Sequence, residues 1–169
     1  FGIDPLADED AALRLVEAFA GWRTQANPGV RWGLQLRHEP SLLGSCGLFA
    51  WNRAWRKCTL GYELAPGVQG RGLMHEALCA ALDWGFEHMA LNRVEAQVHP
   101  LNGASIRSLQ RRGFVREGVL RELGFWSGQY HDMLQFSLLR SEWRSELLAH
   151  SGGADLPAGS SGPDDTSGG

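Results

Sequence analysis

No apolar run in this chain approaches the roughly 18 residues that a membrane-crossing helix needs, which excludes a helical membrane protein. The start does not read as a secretory leader either. Cysteine is scarce: Cys46, Cys58 and Cys79 are odd in number and form no C-x-x-C. That excludes a disulfide framework and makes a reduced, cytoplasmic compartment the expectation. His75 and His99 lack ligand spacing to cysteine or to another histidine, so no metal centre is expected. No Gly-Lys pair exists, which excludes the P-loop form of a nucleotide site. Charge of one sign is also missing. The formal net charge is −3, and Asp155, Asp164 and Asp165 account for all of it. The balanced remainder argues against nucleic-acid and membrane partners. Internal repeats are absent.

Apolar side chains nearly vanish from Ser151 onward, where Gly, Ser, Pro and Asp dominate. Such a segment cannot bury enough surface to offset chain entropy, so residues 151–169 are expected to be a disordered tail. The 43% hydrophobic content suits a single globular domain over residues 1–150.

What is present begins with Leu64-Ala-Pro-Gly-Val-Gln69-Gly-Arg-Gly-Leu-Met74. A β-like run, Thr59 to Leu64, breaks at Pro66, and a helical pattern follows a glycine-rich turn. Backbone N–H groups in the turn and at the helix start form an anion site. Gly70 and Gly72 let the backbone approach a ligand closely. The dinucleotide form G-x-G-x-x-G fails, because His75 stands at its third glycine. The bland alternative is a turn leading into a core-packed helix.

Around this turn the periodicities predict a helix from an Asp8 N-cap to about Thr24, with Ala12, Leu15, Val16 and Phe19 as its apolar stripe. Strands are expected over Val30–Arg37, Leu42–Ala50 and Arg56–Leu64, the last two joined as a hairpin through Trp51–Trp55. A major helix runs from about Arg71 to His88, burying Leu73, Ala77, Leu78, Ala81, Leu82 and Phe86. Arg93–His99 reads as a strand and Asn102–Arg112 as a short helix ended by Gly113. Phe114–Leu123 and Tyr130–Leu139 form a last pair, with Gly124 and Gly128 bracketing their turn. Ser141–Leu148 reads as a final amphipathic turn or two. The fold class is α/β (α+β type): a mixed, mostly antiparallel sheet with helices on both faces.

Gln69-Gly-Arg-Gly72-Leu-Met74 resembles the acetyl-CoA motif Gln/Arg-x-x-Gly-x-Gly/Ala of the GNAT superfamily of N-acetyltransferases. Met74 departs from the small residue at the last position and is expected to narrow the groove. A second stretch supplies the matching half: a strand, then Asn102-x-x-Ser105, then a short helix ending in Gly113-Phe114. Glu117-Gly-Val-Leu-Arg121 and Gly128-Gln-Tyr130-His-Asp132 follow in order. That order is similar to the ribosomal-protein branch, which acetylates N-terminal Ser or Ala. The resemblance covers roughly Asp8 to Trp143. It implies one more strand and helix before Phe1, so the chain is expected to be a fragment whose acceptor half is incomplete.

The resemblance implies transfer of an acetyl group from acetyl-CoA, as cosubstrate, to a primary amine: a protein N-terminus or a small amine. It also admits a homodimer. Gln69, Gly70, Arg71, Gly72, Leu73 and Met74 would hold the pyrophosphate through backbone N–H groups. A backbone N–H near Leu64 would polarise the thioester carbonyl where the sheet splays. Asn102 would hold the pantetheine arm or simply cap its helix. Ser105 would protonate the leaving thiolate or act as a capping hydroxyl, and the Tyr many members use is replaced by Leu109. Glu63 and Glu122 are the candidate general bases, or else ordinary strand carboxylates. Gly124 stands where some branch members carry a Glu. His131 and Asp132 point to opposite faces and cannot form a dyad, so they line the acceptor site or support it. Trp51, Trp55 and Trp126 fall in predicted turns and are candidates for its floor. The alternative function is a non-catalytic acyl-CoA-binding module or sensor.

Overall fold

The computed structural model describes residues 4, 6–21, 24, 26 and 28–143. The predicted tail and the Arg144–Leu148 part of the last turn lie outside them. The described elements are α1 (Glu9–Gly21), β1 (Val30–Leu34), β2 (Gly44–Asn52), β3 (Lys57–Leu64), α2 (Leu73–His88), β4 (Arg93–Val98), α3 (Gly103–Gln110), β5 (Val115–Trp126) and β6 (Gln129–Leu139). They form one six-stranded sheet in the order β1-β2-β3-β4-β6-β5. Only β3 and β4 run parallel.

Local chemistry accounts for the boundaries. Asp8 Oδ1 accepts the Ala11 N–H at 2.7 Å, the N-cap that starts α1. Asn52 Oδ1 accepts the Trp55 N–H at 2.9 Å and tightens the β2–β3 turn. β1 stops at Leu34 rather than Arg37, because the chain turns at Arg37–His38, with His38 at φ 70°. α2 starts at Leu73 rather than Arg71, since Gly72 takes the left-handed region at φ 81°. The β5–β6 turn is Ser127-Gly128, both at positive φ (51° and 72°), as a two-residue hairpin of type I′ requires. Gly124 therefore lies inside β5 and does not bracket the turn.

The sheet has two unlike faces. Leu48, Leu60, Val94, Ala96, Phe136 and Leu138 point to one side and pack with Leu78 and Leu82 of α2 and Leu109 of α3. Each of these side chains larger than alanine stabilises the fold by roughly 1.5–3 kcal/mol. The opposite face is polar. Arg31 reaches Glu63 at 2.6 Å and donates to Ser45 at 2.8 Å. Arg93 joins Glu95 and Glu117, and Lys57 also holds Glu95. Gln97 donates to Gln135 at 2.9 Å. α1 covers part of this second face, with Phe19 under the Arg31 guanidinium at 4.5 Å. Of its predicted stripe, Ala12, Leu15 and Phe19 are half-buried, but Val16 is 63% exposed because α1 meets the sheet only near β1.

The parallel pair is short. It runs only from Lys57↔Arg93 to Thr59↔Glu95. Beyond it β3 stays with β2 as far as Leu64↔Gly44, while β4 stays with β6 as far as Val98↔Leu134. The two halves of the sheet part there and leave a slot.

Candidate active site

Three elements meet at the open end of the slot. The first is the glycine turn. A single 3-10 turn, Pro66–Val68, leads from β3 to Gln69, whose side-chain amide donates to the Leu64 carbonyl at 3.1 Å. Gly70 and Gly72 sit at φ 77° and 81°, and a Cβ at either would meet nothing within 4 Å. The cradle is thus open to a ligand and conformationally reserved for glycine. No side chain caps α2, so its first N–H groups face the cradle with only Glu76 N–H turned back to Gly72. This geometry suits a pyrophosphate. Met74 is half-buried and packs on the core.

The second element is α3. Asn102 Oδ1 accepts the Ser105 N–H at 3.1 Å, so the capping role is real. Its side-chain NH2 stays available to a ligand. Ser105 is half-buried, and its side chain, with that of Ser108, hydrogen-bonds the Tyr62 phenol. Sequence reasoning missed Tyr62, whose hydroxyl donates to the Ser105 carbonyl at 3.4 Å and ties α3 to β3 across the slot. Burial pushes that phenol above its ordinary value, so it remains a donor. Its signal was the alternation of β3, which places Cys58, Leu60, Tyr62 and Leu64 on the helix-covered face.

The third element is the slot wall. Ala65 N–H bonds the Leu43 carbonyl at 2.8 Å. Alternation then turns the backbone groups of Glu63 and Gly61 towards β2 and those of Tyr62 and Leu64 into the slot. The Leu64 N–H is therefore turned away from β2, on the side where β3 and β4 part.

The two candidate bases are not brought together. Glu63 is on the polar face of β3, with one oxygen on Arg31 and the other taking the Ser45 hydroxyl. Glu122 lies on β5, with β4 and β6 between it and β3. It is exposed in a bulge between Leu120↔Met133 and Gly124↔His131, at φ 53°. Its N–H donates to Asp132 Oδ1 at 2.8 Å. Asp132 and His131 do point to opposite faces.

Trp126 is not in a turn. It ends β5 buried, its ring stacked on His131 at 3.8 Å between centroids. His99, 9% exposed, stands 5.5 Å from Trp126 and 5.4 Å from His131. Burial, and secondly His131, push the His99 imidazole below its ordinary value, so it is neutral near pH 7. Trp51 and Trp55 do not join them, because the β2–β3 hairpin lies at the far end of β3. Among the described residues no group of three His, Cys, Asp or Glu is placed to hold a metal ion.

A slot between diverging parallel strands, an anion cradle at a helix start and a second helix across the slot define an acyl-CoA-dependent acyltransferase. The chain belongs to the GNAT acetyltransferase family: residues 2–115 match the model described as an acetyltransferase (GNAT) domain. It is 30% identical to the uncharacterized N-acetyltransferase YoaA of Bacillus subtilis over 140 residues, 83% of this chain and 78% of that protein. It is 33% identical to the [ribosomal protein uS5]-alanine N-acetyltransferase of Escherichia coli over 90 residues, 53% of this chain and 46% of that one. The crystal structure of spermidine N-acetyltransferase from Vibrio cholerae, in complex with CoA and spermine, superposes with a TM-score of 0.70 at 25% identity. That match covers 83% of this chain and 80% of the other.

Proposed function

We propose that the chain acetylates the N-terminal amine of a protein, in the manner of the ribosomal-protein branch, using acetyl-CoA. One observation carries the choice of acceptor over a polyamine. The carboxylates on the polar face of the sheet are already engaged: Glu63 by Arg31, Glu95 by Lys57 and Arg93, and Glu117 by Arg93. A polycation would have to displace these partners, whereas one terminal ammonium needs no such acidic cluster.

The roles follow from the placement of each group. Backbone N–H groups from Gln69 to Met74 take the pyrophosphate, with the Arg71 side chain exposed beside them. The Asn102 amide holds the pantetheine arm. The Leu64 N–H in the slot polarises the thioester carbonyl, a contribution typically of about 2.7–4 kcal/mol. The Ser105 hydroxyl passes a proton to the leaving sulfur. α2 and α3 cover one face of the slot, so the amine enters from the polar face. Three free cysteines, Cys46, Cys58 and Cys79, suit a reducing cytoplasm.

The test has two arms. Calorimetry compares acetyl-CoA binding by the wild type and by Gly72→Glu, whose carboxylate repels the pyrophosphate; binding is expected only in the wild type. Turnover is then followed with Ser- and Ala-initiated peptides and with spermidine. A kcat/KM higher for spermidine than for every peptide would overturn the acceptor assignment, and binding unchanged in Gly72→Glu would overturn the cradle.

A further inference from the structure

Attack on a thioester needs a free amine, so the acceptor ammonium must lose a proton at the site. Neither predicted carboxylate is well placed. Both Glu63 oxygens are engaged by Arg31 and Ser45, and Glu122 rides the outermost strand. The histidines are better placed. Gln97 and Gln135 bond on the polar face, and two-residue steps along β4 and β6 put His99 and His131 on that same face. β6 runs on past Val98↔Leu134 towards its turn, so His131 overhangs the open end of β4. The amine that enters the slot from this face passes it.

The ring of His131 is held in one orientation. It lies flat on Trp126, 11° from parallel, with Nε2 3.3 Å from the Trp126 carbonyl. A carbonyl only accepts, so in the neutral ring Nε2 carries the proton and Nδ1 the lone pair. Among the described residues Nδ1 has no hydrogen-bond partner. Gly124 makes the stack possible, since a Cβ there would collide with the Trp126 ring. The groups around His131 are few. His99 faces it from the β4–α3 loop, with Nδ1 taking the Leu101 N–H at 3.2 Å. Asp132 is turned to the other face and holds the Glu122 N–H, and Asp4 is bound to Ser127 at the hairpin turn.

We propose that His131 is the general base for the acceptor amine, acting through Nδ1, with Trp126 and Gly124 positioning its ring. This rests on the amine-acetylation reading above. Nδ1 takes one proton from R–NH3+, leaving a lone pair on nitrogen. That pair forms the C–N bond to the acetyl carbon as the C–S bond breaks and its electrons leave on sulfur. The second nitrogen proton passes to sulfur by way of Ser105 or water, and Nδ1 returns its proton to solvent.

His131→Gln tests this, because its amide nitrogen can replace Nε2 as donor to Trp126 while no basic nitrogen remains. With a Ser-initiated peptide, kcat is expected to fall about 100-fold. Acetyl-CoA binding by calorimetry stays within about two-fold, and the acidic limb of the kcat profile disappears. His131→Ala is expected to regain activity on addition of imidazole. Activity within about two-fold of wild type, with the acidic limb intact, would overturn the proposal alone. Loss of acetyl-CoA binding in both variants would make His131 structural and overturn it too. Absence of any turnover by the wild type with peptides or amines would overturn the acetylation reading along with it.

Discussion

Gly124 shows how one missing Cβ shapes a site. The Trp126 ring occupies the space above its Cα, and His131 stacks on that ring. Gly124→Ala forces the indole aside at a cost of about 1–3 kcal/mol. Thermal unfolding should register that loss, and kcat should fall while acetyl-CoA affinity holds. A stable variant with unchanged kcat would show that the stack is dispensable. The thiols give a second check at this scale. Burial pushes Cys46 to about 11 and Cys58 to about 12, whereas Cys79 is only half-buried. A thiol reagent should modify Cys79 alone in the folded protein and all three after unfolding; rapid labelling of Cys58 would contradict the packing described.

At the scale of elements, α3 separates two functions that the sequence left merged in Asn102. The residue caps the helix with its oxygen, and its NH2 has no hydrogen-bond partner among the described residues. Asn102→Asp retains the cap and removes the donor, while Asn102→Ala removes both. Stability is expected to fall by about 1 kcal/mol only in Asn102→Ala. Acetyl-CoA affinity is expected to fall in both, so equal affinity in Asn102→Asp would remove the pantetheine role. The glycine turn, the Asn102 cap and the succession of strands along the chain were legible because each depends on local spacing. Tyr62 and the pairing of Glu63 with Arg31 were not, since they join β3 to α3 and to β1 across 43 and 32 residues. The bulge at Glu122 was hidden for a similar reason: Asp132 on the neighbouring strand supplies the acceptor that stabilises it.

The same scale carries an acid-stability prediction. Arg93 holds Glu117 through both carboxylate oxygens, and Ser137 adds a donor at 2.8 Å. These bonds lower the Glu117 carboxyl from 4.5 to about 2. A depressed folded-state value means the stabilisation is complete above about 4.5 and is lost as pH falls towards 2. Glu117 is 39% exposed, so solvent screening limits the effect to about 1 kcal/mol. Chemical denaturation of the wild type should therefore weaken between pH 5 and 2 more steeply than that of Glu117→Gln. Parallel curves would place the acid sensitivity elsewhere.

At the scale of the whole molecule, the sheet is two pieces hinged by one short parallel contact. β1, β2 and β3 form one piece and β4, β6 and β5 the other, joined by pairing from Lys57 to Thr59. Past that contact the Tyr62 and Leu64 amides face the slot without a strand partner, whereas the Glu63 and Gly61 amides are bonded to β2. Unpaired amides exchange readily with solvent, and a ligand that accepts from them confers protection. Hydrogen exchange should thus be fast at Tyr62 and Leu64 in the free protein and slow at Glu63 and Gly61. Saturating acetyl-CoA should slow the first pair and leave the second unchanged. Equal protection at all four residues in the free protein would mean that β3 and β4 stay zipped and no slot exists. Binding without new protection at Leu64 would place the thioester elsewhere on the molecule, because an oxyanion donor has to contact the group it polarises.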